Sequence, residues 1–98
     1  MYKIKYMGQA ERNIESIEYY LDKIDTRLTD TTLKAINERI YSLNEMPFRY
    51  PRYIDNPKYR YTTVKKYMIF YIVDEAKKVI EIHRILHGTQ NTKEHINL

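Results

Sequence analysis

Two stretches of the chain repeat their apolar residues every three or four positions, and three later stretches change period. In the first, Ala10, Ile14, Ile17, Leu21 and Ile24 recur at intervals of four, three, four and three, with Gln9 opening the element. That spacing gathers all five on one stripe of a helix. Glu11, Arg12, Glu15, Glu18, Asp22 and Lys23 fall on the other side. In the second, Leu33, Ile36, Ile40 and Leu43 repeat the pattern, with Lys34 and Glu38 paired one turn apart on the outside. Asp25-Thr26 and Thr29-Asp30 both offer N-cap chemistry for this helix, and Pro47 stops it.

The remaining segments read as strands. Met1 to Met7 is a run of β-formers with lysines at alternate positions, ended by Gly8. Tyr59 to Val64 is a second strand and Lys65-Lys66 its turn. Tyr67 to Val73 is an almost unbroken apolar run, as in a central strand covered on both faces. Asp74 to Lys78 is a polar turn, Val79 to Leu86 a fourth strand, and Gly88 to Asn91 breaks it. Phe48 to Pro57, with three prolines counted from Pro47 onward at its borders and centre, reads as a loop. The polar tail to Leu98 reads as a frayed end or a short helix. The order is β-α-α-β-β-β, an α+β domain in which a helix hairpin packs on an antiparallel sheet.

At 98 residues this is a single domain spanning 1–98. Cysteine is absent, which removes disulfides and thiolate metal sites and suits a reducing cytoplasm. There is no apolar run near the ~20 residues that span a bilayer, and no signal-like start, so a soluble cytoplasmic protein is expected. The formal charge of +4 favours an anionic partner, either nucleic acid or an acidic peptide. Eleven tyrosines against two phenylalanines and no tryptophan put polar-tipped rings at the surface, where they can stack on bases or pack on a peptide.

Candidate chemistry is narrow. His83, His87 and His95 are the only histidines, and His83 and His87 fall on one face of a regular strand, ~13 Å apart. No carboxylate cluster completes a site, so neither a metal nor a cofactor is expected. With two glycines there is no phosphate loop, and Ser16 and Ser42 lie within helices rather than in a nucleophile elbow. What remains is a basic and aromatic group: Arg60, Lys65, Lys66, Arg84 and His87, with Tyr59, Tyr61, Tyr67 and Tyr71. RNA cleavage needs a base, an acid and cations around the phosphate. His87 can supply acid or base, and Arg60 and Arg84 can bind phosphate. The plainer reading makes Arg84 a paired structural arginine and His87 a polar strand end. Strict alternation puts Arg84 and His87 on opposite faces unless the strand bends before Gly88.

The element order, Tyr59-Arg60 opening the second strand, Tyr67-Met68-Ile69-Phe70-Tyr71 after a tight turn, and Ile82-His83-Arg84-Ile85-Leu86-His87-Gly88 together resemble the RelE/ParE superfamily. These are the toxins of type II toxin–antitoxin modules, and the likeness covers nearly the whole chain. It implies growth arrest, a role in plasmid stabilisation, and a cognate antitoxin whose C-terminal segment wraps the toxin. RelE-like members are mRNA interferases acting on the translating ribosome; ParE-like members inhibit DNA gyrase. RelE-like nucleases usually carry an arginine where this chain has Met68, and further basic or tyrosine residues where it has Thr89-Gln90-Asn91. Arg84 to Gly88 is closer to the ParE-like ending, without the arginines that usually follow. His87 stands where one nuclease subgroup places a catalytic histidine, with Arg84 and Arg60 as its companions. Lys65, Lys66, Arg60, Tyr61 and Tyr67 are the residues expected to touch the target in either case. The resemblance leans towards gyrase inhibition, with ribosome-dependent mRNA cleavage and an inactive basic binding domain as alternatives.

Overall fold

The structure, a computed structural model, describes residues 1–89. The expectations for Gln90, Asn91, His95 and the tail to Leu98 lie outside the described residues. The chain runs β1 (Lys3–Tyr6), α1 (Gly8–Asp22), α2 (Thr26–Ser42), β2 (Arg60–Val64), β3 (Tyr67–Asp74) and β4 (Val79–His87), in the expected α+β order.

Of the two caps offered for α2, Asp25 is the one used. Its carboxylate accepts a hydrogen bond from the backbone N–H of Arg27 at 2.9 Å, satisfying a donor that the first turn leaves open. The hydrogen bonds also hold the Asp25 carboxyl below its ordinary titration range. The helix stripes are buried as their period requires: Ala10, Ile17 and Leu21 from α1 meet Ile36, Ile40 and Leu43. Ile24 departs from the stripe. The α1 helix ends at Asp22, so the period no longer sets the direction of Ile24, which stands 58% exposed in the inter-helix turn. Gly8 is the first residue of α1 and not the end of β1, which is shorter than Met1–Met7.

The sheet order is β1-β4-β3-β2. The three C-terminal strands are antiparallel, joined by tight turns, whereas β1 lies parallel to β4, with Ile4 opposite Ile80 and Tyr6 opposite Ile82. The sheet is therefore mixed. A hairpin turn forces the antiparallel sense, and β1 has no strand beside it in sequence to impose that constraint. Residues of β3 alternate between two buried layers. Tyr67, Ile69 and Tyr71 join the helix-side core, while Phe70 packs with Tyr59 and Leu86 on the far side. Tyr53, from the loop before β2, closes that second cluster with its ring edge-on to Phe70 at 5.1 Å. Each fully buried ring or aliphatic chain of this kind contributes about 1.5–3 kcal/mol. The unbroken apolar run of β3 follows from this double cover.

Along the β3–β4 ladder Phe70 pairs with Arg84 but Tyr71 pairs with Ile82, which leaves His83 as an extra residue on β4. This bulge puts two consecutive side chains, His83 and Arg84, on the face away from the helices. The expectation that His83 and His87 share a face therefore fails. His83 contacts Glu81 and Tyr59 on the far face, and His87 pairs with Tyr67 on the helix side.

Candidate functional site

The end of the sheet near the β2–β3 turn carries the densest set of candidate residues. Val64 and Tyr67 close the hairpin, and Lys65 and Lys66 between them are exposed. Lys65 adopts φ 54°, a left-handed conformation that a tight turn demands and that a non-glycine residue adopts at some cost. The carbonyl of Lys66 accepts the N–H of Gly88 at 2.8 Å, which ties the end of β4 to the hairpin. His87 is thereby fixed beside Tyr67, ring edge to ring face at 5.3 Å. The backbone N–H of Thr89 points at His87 Nδ1 from 3.2 Å. The Thr89 hydroxyl oxygen lies 2.7 Å from the same atom.

Facing these residues across a groove of about 590 Å³ are Tyr20, Ile24 and Leu28 from the helix hairpin. All three are exposed, at 61%, 58% and 40%. The groove thus has an apolar wall, a two-lysine rim and one imidazole. Burial raises the pKa of the Tyr67 phenol at its floor, with Tyr20 adding to the shift. Sequence reasoning found Lys65, Lys66, Tyr67 and His87 but missed Tyr20, Ile24 and Leu28. The available signal was that Ile24 and Leu28 flank the Asp25 cap, where a helix stripe loses its phase.

The other sequence-predicted residues lie elsewhere. Arg84 is on the opposite face of the sheet from His87, where its Nη1 donates to the carbonyl of His83 at 2.8 Å. The bulge does not bring the two together, because it precedes Arg84 and alternation is regular from there to His87. Arg60 opens β2 at the end remote from the turn, and its Nη1 donates to the carbonyl of Tyr50 at 2.8 Å. Tyr61 lies on the far face against Tyr53 and Phe70. Tyr71 is buried beneath Arg60, and its hydroxyl donates to the carbonyl of Pro47 at 2.9 Å. Burial pushes its phenol up to about 12 against the opposing pull of Arg60. Among the described residues no three His, Cys, Asp or Glu side chains gather as a metal would require.

This arrangement can bind an apolar segment beside negative charge. It does not bring the imidazole and the two candidate arginines to one phosphate.

The same architecture recurs in solved structures. A chain from the chromosomal ParDE toxin–antitoxin system of P. aeruginosa superposes with a TM-score of 0.74 and 20% identity, over 89% of this chain and 96% of that one. The RelBE2 toxin–antitoxin complex of Mycobacterium tuberculosis contributes a match at TM-score 0.64 and 20% identity, covering 88% and 96%. The isolated E. coli RelE toxin matches at 0.65 and 12% identity, covering 99% and 97%. No curated protein sequence matches the chain. Identities this low establish the fold. Residues 4–92 in addition match the family of the ParE toxin of the type II toxin–antitoxin system parDE. A match over nearly the whole sequence, on a fold shared with ParDE and RelBE toxins, makes this chain a member of the ParE toxin family.

Proposed function

We propose that the chain arrests bacterial growth as a non-catalytic inhibitor of DNA gyrase, held silent by a cognate antitoxin. The observation that supports this reading is the separation of the three side chains a nuclease would use. Arg84 and His87 occupy opposite faces of β4, and Arg60 sits at the far end of β2. Phosphodiester cleavage needs base, acid and cation within reach of one phosphate. Met68, where a nuclease of this superfamily usually has arginine, agrees with that separation.

The groove beside Tyr67 fits the antitoxin. Its apolar wall of Tyr20, Ile24 and Leu28 and its rim of Lys65 and Lys66 suit an amphipathic segment with acidic flanks. Gyrase is a cytoplasmic target, and among the described residues no helix is long and apolar enough to cross a membrane.

One observation favours a second reading, ribosome-dependent mRNA cleavage: His87 shares its groove with Lys65 and Lys66. Inducing the chain without an antitoxin separates the readings. Gyrase inhibition predicts a DNA-damage response, loss of supercoiling activity by purified gyrase, and intact mRNA. Cleavage of mRNA at codon boundaries, lost in His87→Ala, would replace it with the second reading. Unimpaired growth would leave an inactive basic domain.

A further inference from the structure

Four arginines gather around Tyr50 beside β2: Arg49, Arg52 and Arg60 at the start of the strand, and Arg39, which reaches from α2 to Thr62 and Thr63. Tyr50 is the centre of the group. The Arg39 guanidinium lies 5.5 Å from the Tyr50 ring centroid and that of Arg49 lies 5.8 Å from it. Arg60 donates to the Tyr50 carbonyl and stands 5.1 Å from the Phe48 ring. Arg52 is opposite Arg60 across an isolated antiparallel bridge, which puts their side chains on one face.

Among the described residues none of the four has an acidic partner. The ion pairs among the described residues are Arg27–Asp25 and His83–Glu81. Three of the guanidiniums are instead oriented by neutral acceptors. Arg39 Nη1 donates to Thr62 Oγ1 and to the Thr63 carbonyl, Arg52 Nη1 to the Pro57 carbonyl, and Arg60 Nη1 to the Tyr50 carbonyl. Their other nitrogens have no acceptor among the described residues. Like charges held together repel, and fixing their forks removes the entropy that binding would otherwise cost. An anion with several acceptor oxygens relieves the repulsion and uses the oriented donors. Phe48 is 45% exposed beside them, and Arg49 and Arg52 are exposed. Oriented guanidiniums interleaved with accessible rings match a sugar–phosphate backbone whose bases are free to stack.

We infer that Arg39, Arg49, Arg52 and Arg60, with Phe48 and Tyr50, form a binding site for single-stranded nucleic acid, separate from the groove at Tyr67. The site takes phosphates on the arginines and a base on Phe48, and it involves no chemistry on the strand. It does not depend on which cellular target the toxin engages.

The test is fluorescence anisotropy of labelled oligo-dT and oligo-U with the purified full-length chain over a salt series. Arg49→Ala and Arg52→Ala remove exposed side chains, and melting curves verify that both variants remain folded. The double variant should bind roughly tenfold more weakly, with a salt slope lower by about 0.7 for each arginine removed. Arg27→Ala removes one positive charge on the helix hairpin, the same change as either single variant, and should bind within about twofold of the wild type, since no phosphate contact is lost. Phe48→Ala should weaken single-strand binding and leave duplex binding unchanged. Unchanged affinity in the double variant, or an equal loss in Arg27→Ala, overturns the site. Tighter binding of poly-glutamate than of either oligonucleotide assigns the cluster to an acidic protein and overturns it equally. No effect of Phe48→Ala overturns the single-strand assignment. The assay contains neither gyrase nor ribosomes, so its failure and that of the gyrase reading are distinct results.

Discussion

Tyr67 and His87 stand directly opposite one another across the β3–β4 ladder, with their rings nearly perpendicular at 89°. Tyr67 belongs to the core and His87 to its rim, so the two should respond differently to truncation. Tyr67→Ala should cost about 3–5 kcal/mol in urea melts. His87→Ala should cost about 1 kcal/mol, the scale of one ring–ring contact. If the chain is a gyrase inhibitor, His87→Ala should also retain inhibition in a supercoiling assay.

Tyr71 anchors the loop that follows α2 through its hydroxyl on the Pro47 carbonyl. Tyr71→Phe leaves that buried carbonyl without its donor and should cost about 1–3 kcal/mol. The pH dependence is diagnostic. The folded-state pKa of about 12 lies above the ordinary 10.0 of a free tyrosine, so the native state holds its proton longer than the unfolded state does. The contribution is therefore complete below pH 10 and is lost as pH rises to about 12. The burial of Tyr6 and Tyr67 raises their pKa values too, so alkaline denaturant titrations of Tyr71→Phe should show a shallower decline than the wild type, not a flat line.

Asn13 on α1 accepts the backbone N–H of Ile85 on its side-chain oxygen at 3.0 Å. This bond secures β4 just past the bulge, where the ladder is irregular. Asn13→Ala should destabilise the fold by about 1–3 kcal/mol, and Asn13→Asp should recover much of the loss by keeping an acceptor. Hydrogen exchange at the Ile85 amide is the local readout, and faster exchange is expected in Asn13→Ala alone.

Ile24 and Leu28 contribute exposed surface to the groove and little to the core. The double variant Ile24→Ser/Leu28→Ser should melt close to the wild type, within about 0.5 kcal/mol. If the groove receives the antitoxin, the same variant should escape neutralisation when the pair is co-expressed. Growth on co-induction checks this directly.

The helices were legible because a 3.6-residue period survives any tertiary context that buries one stripe. It misled only at Ile24, where the backbone had already left the helix. β3 was legible for the opposite reason, since burial on both faces removes any need for polar alternation. The bulge at His83 was not legible. Ile82 and Ile85 both face the helices although two residues separate them, and nothing local marks which of the two is extra. For that reason the sequence put His83 and His87 together, while the structure divides them. The parallel sense of β1 was hidden too, because the choice of partner for a short edge strand depends on where the helix hairpin carries the chain. At the candidate site, Lys65, Lys66, Tyr67 and His87 are near one another along the hairpin and were found. Arg39 and Arg49 belong to an α2 helix and a loop whose convergence on Tyr50 only the fold reveals.

The parallel pairing of β1 with β4 also sets the order in which the protein can be completed. β1 leaves the ribosome well before its hydrogen-bonding partner, which is Val79 to Ile82. The helix hairpin and the β2–β3 turn can form locally during synthesis, but β1 stays without its partner strand until β4 has been made. Until then the sheet is incomplete, which gives a partner already in the cell a chance to meet the chain before it is whole.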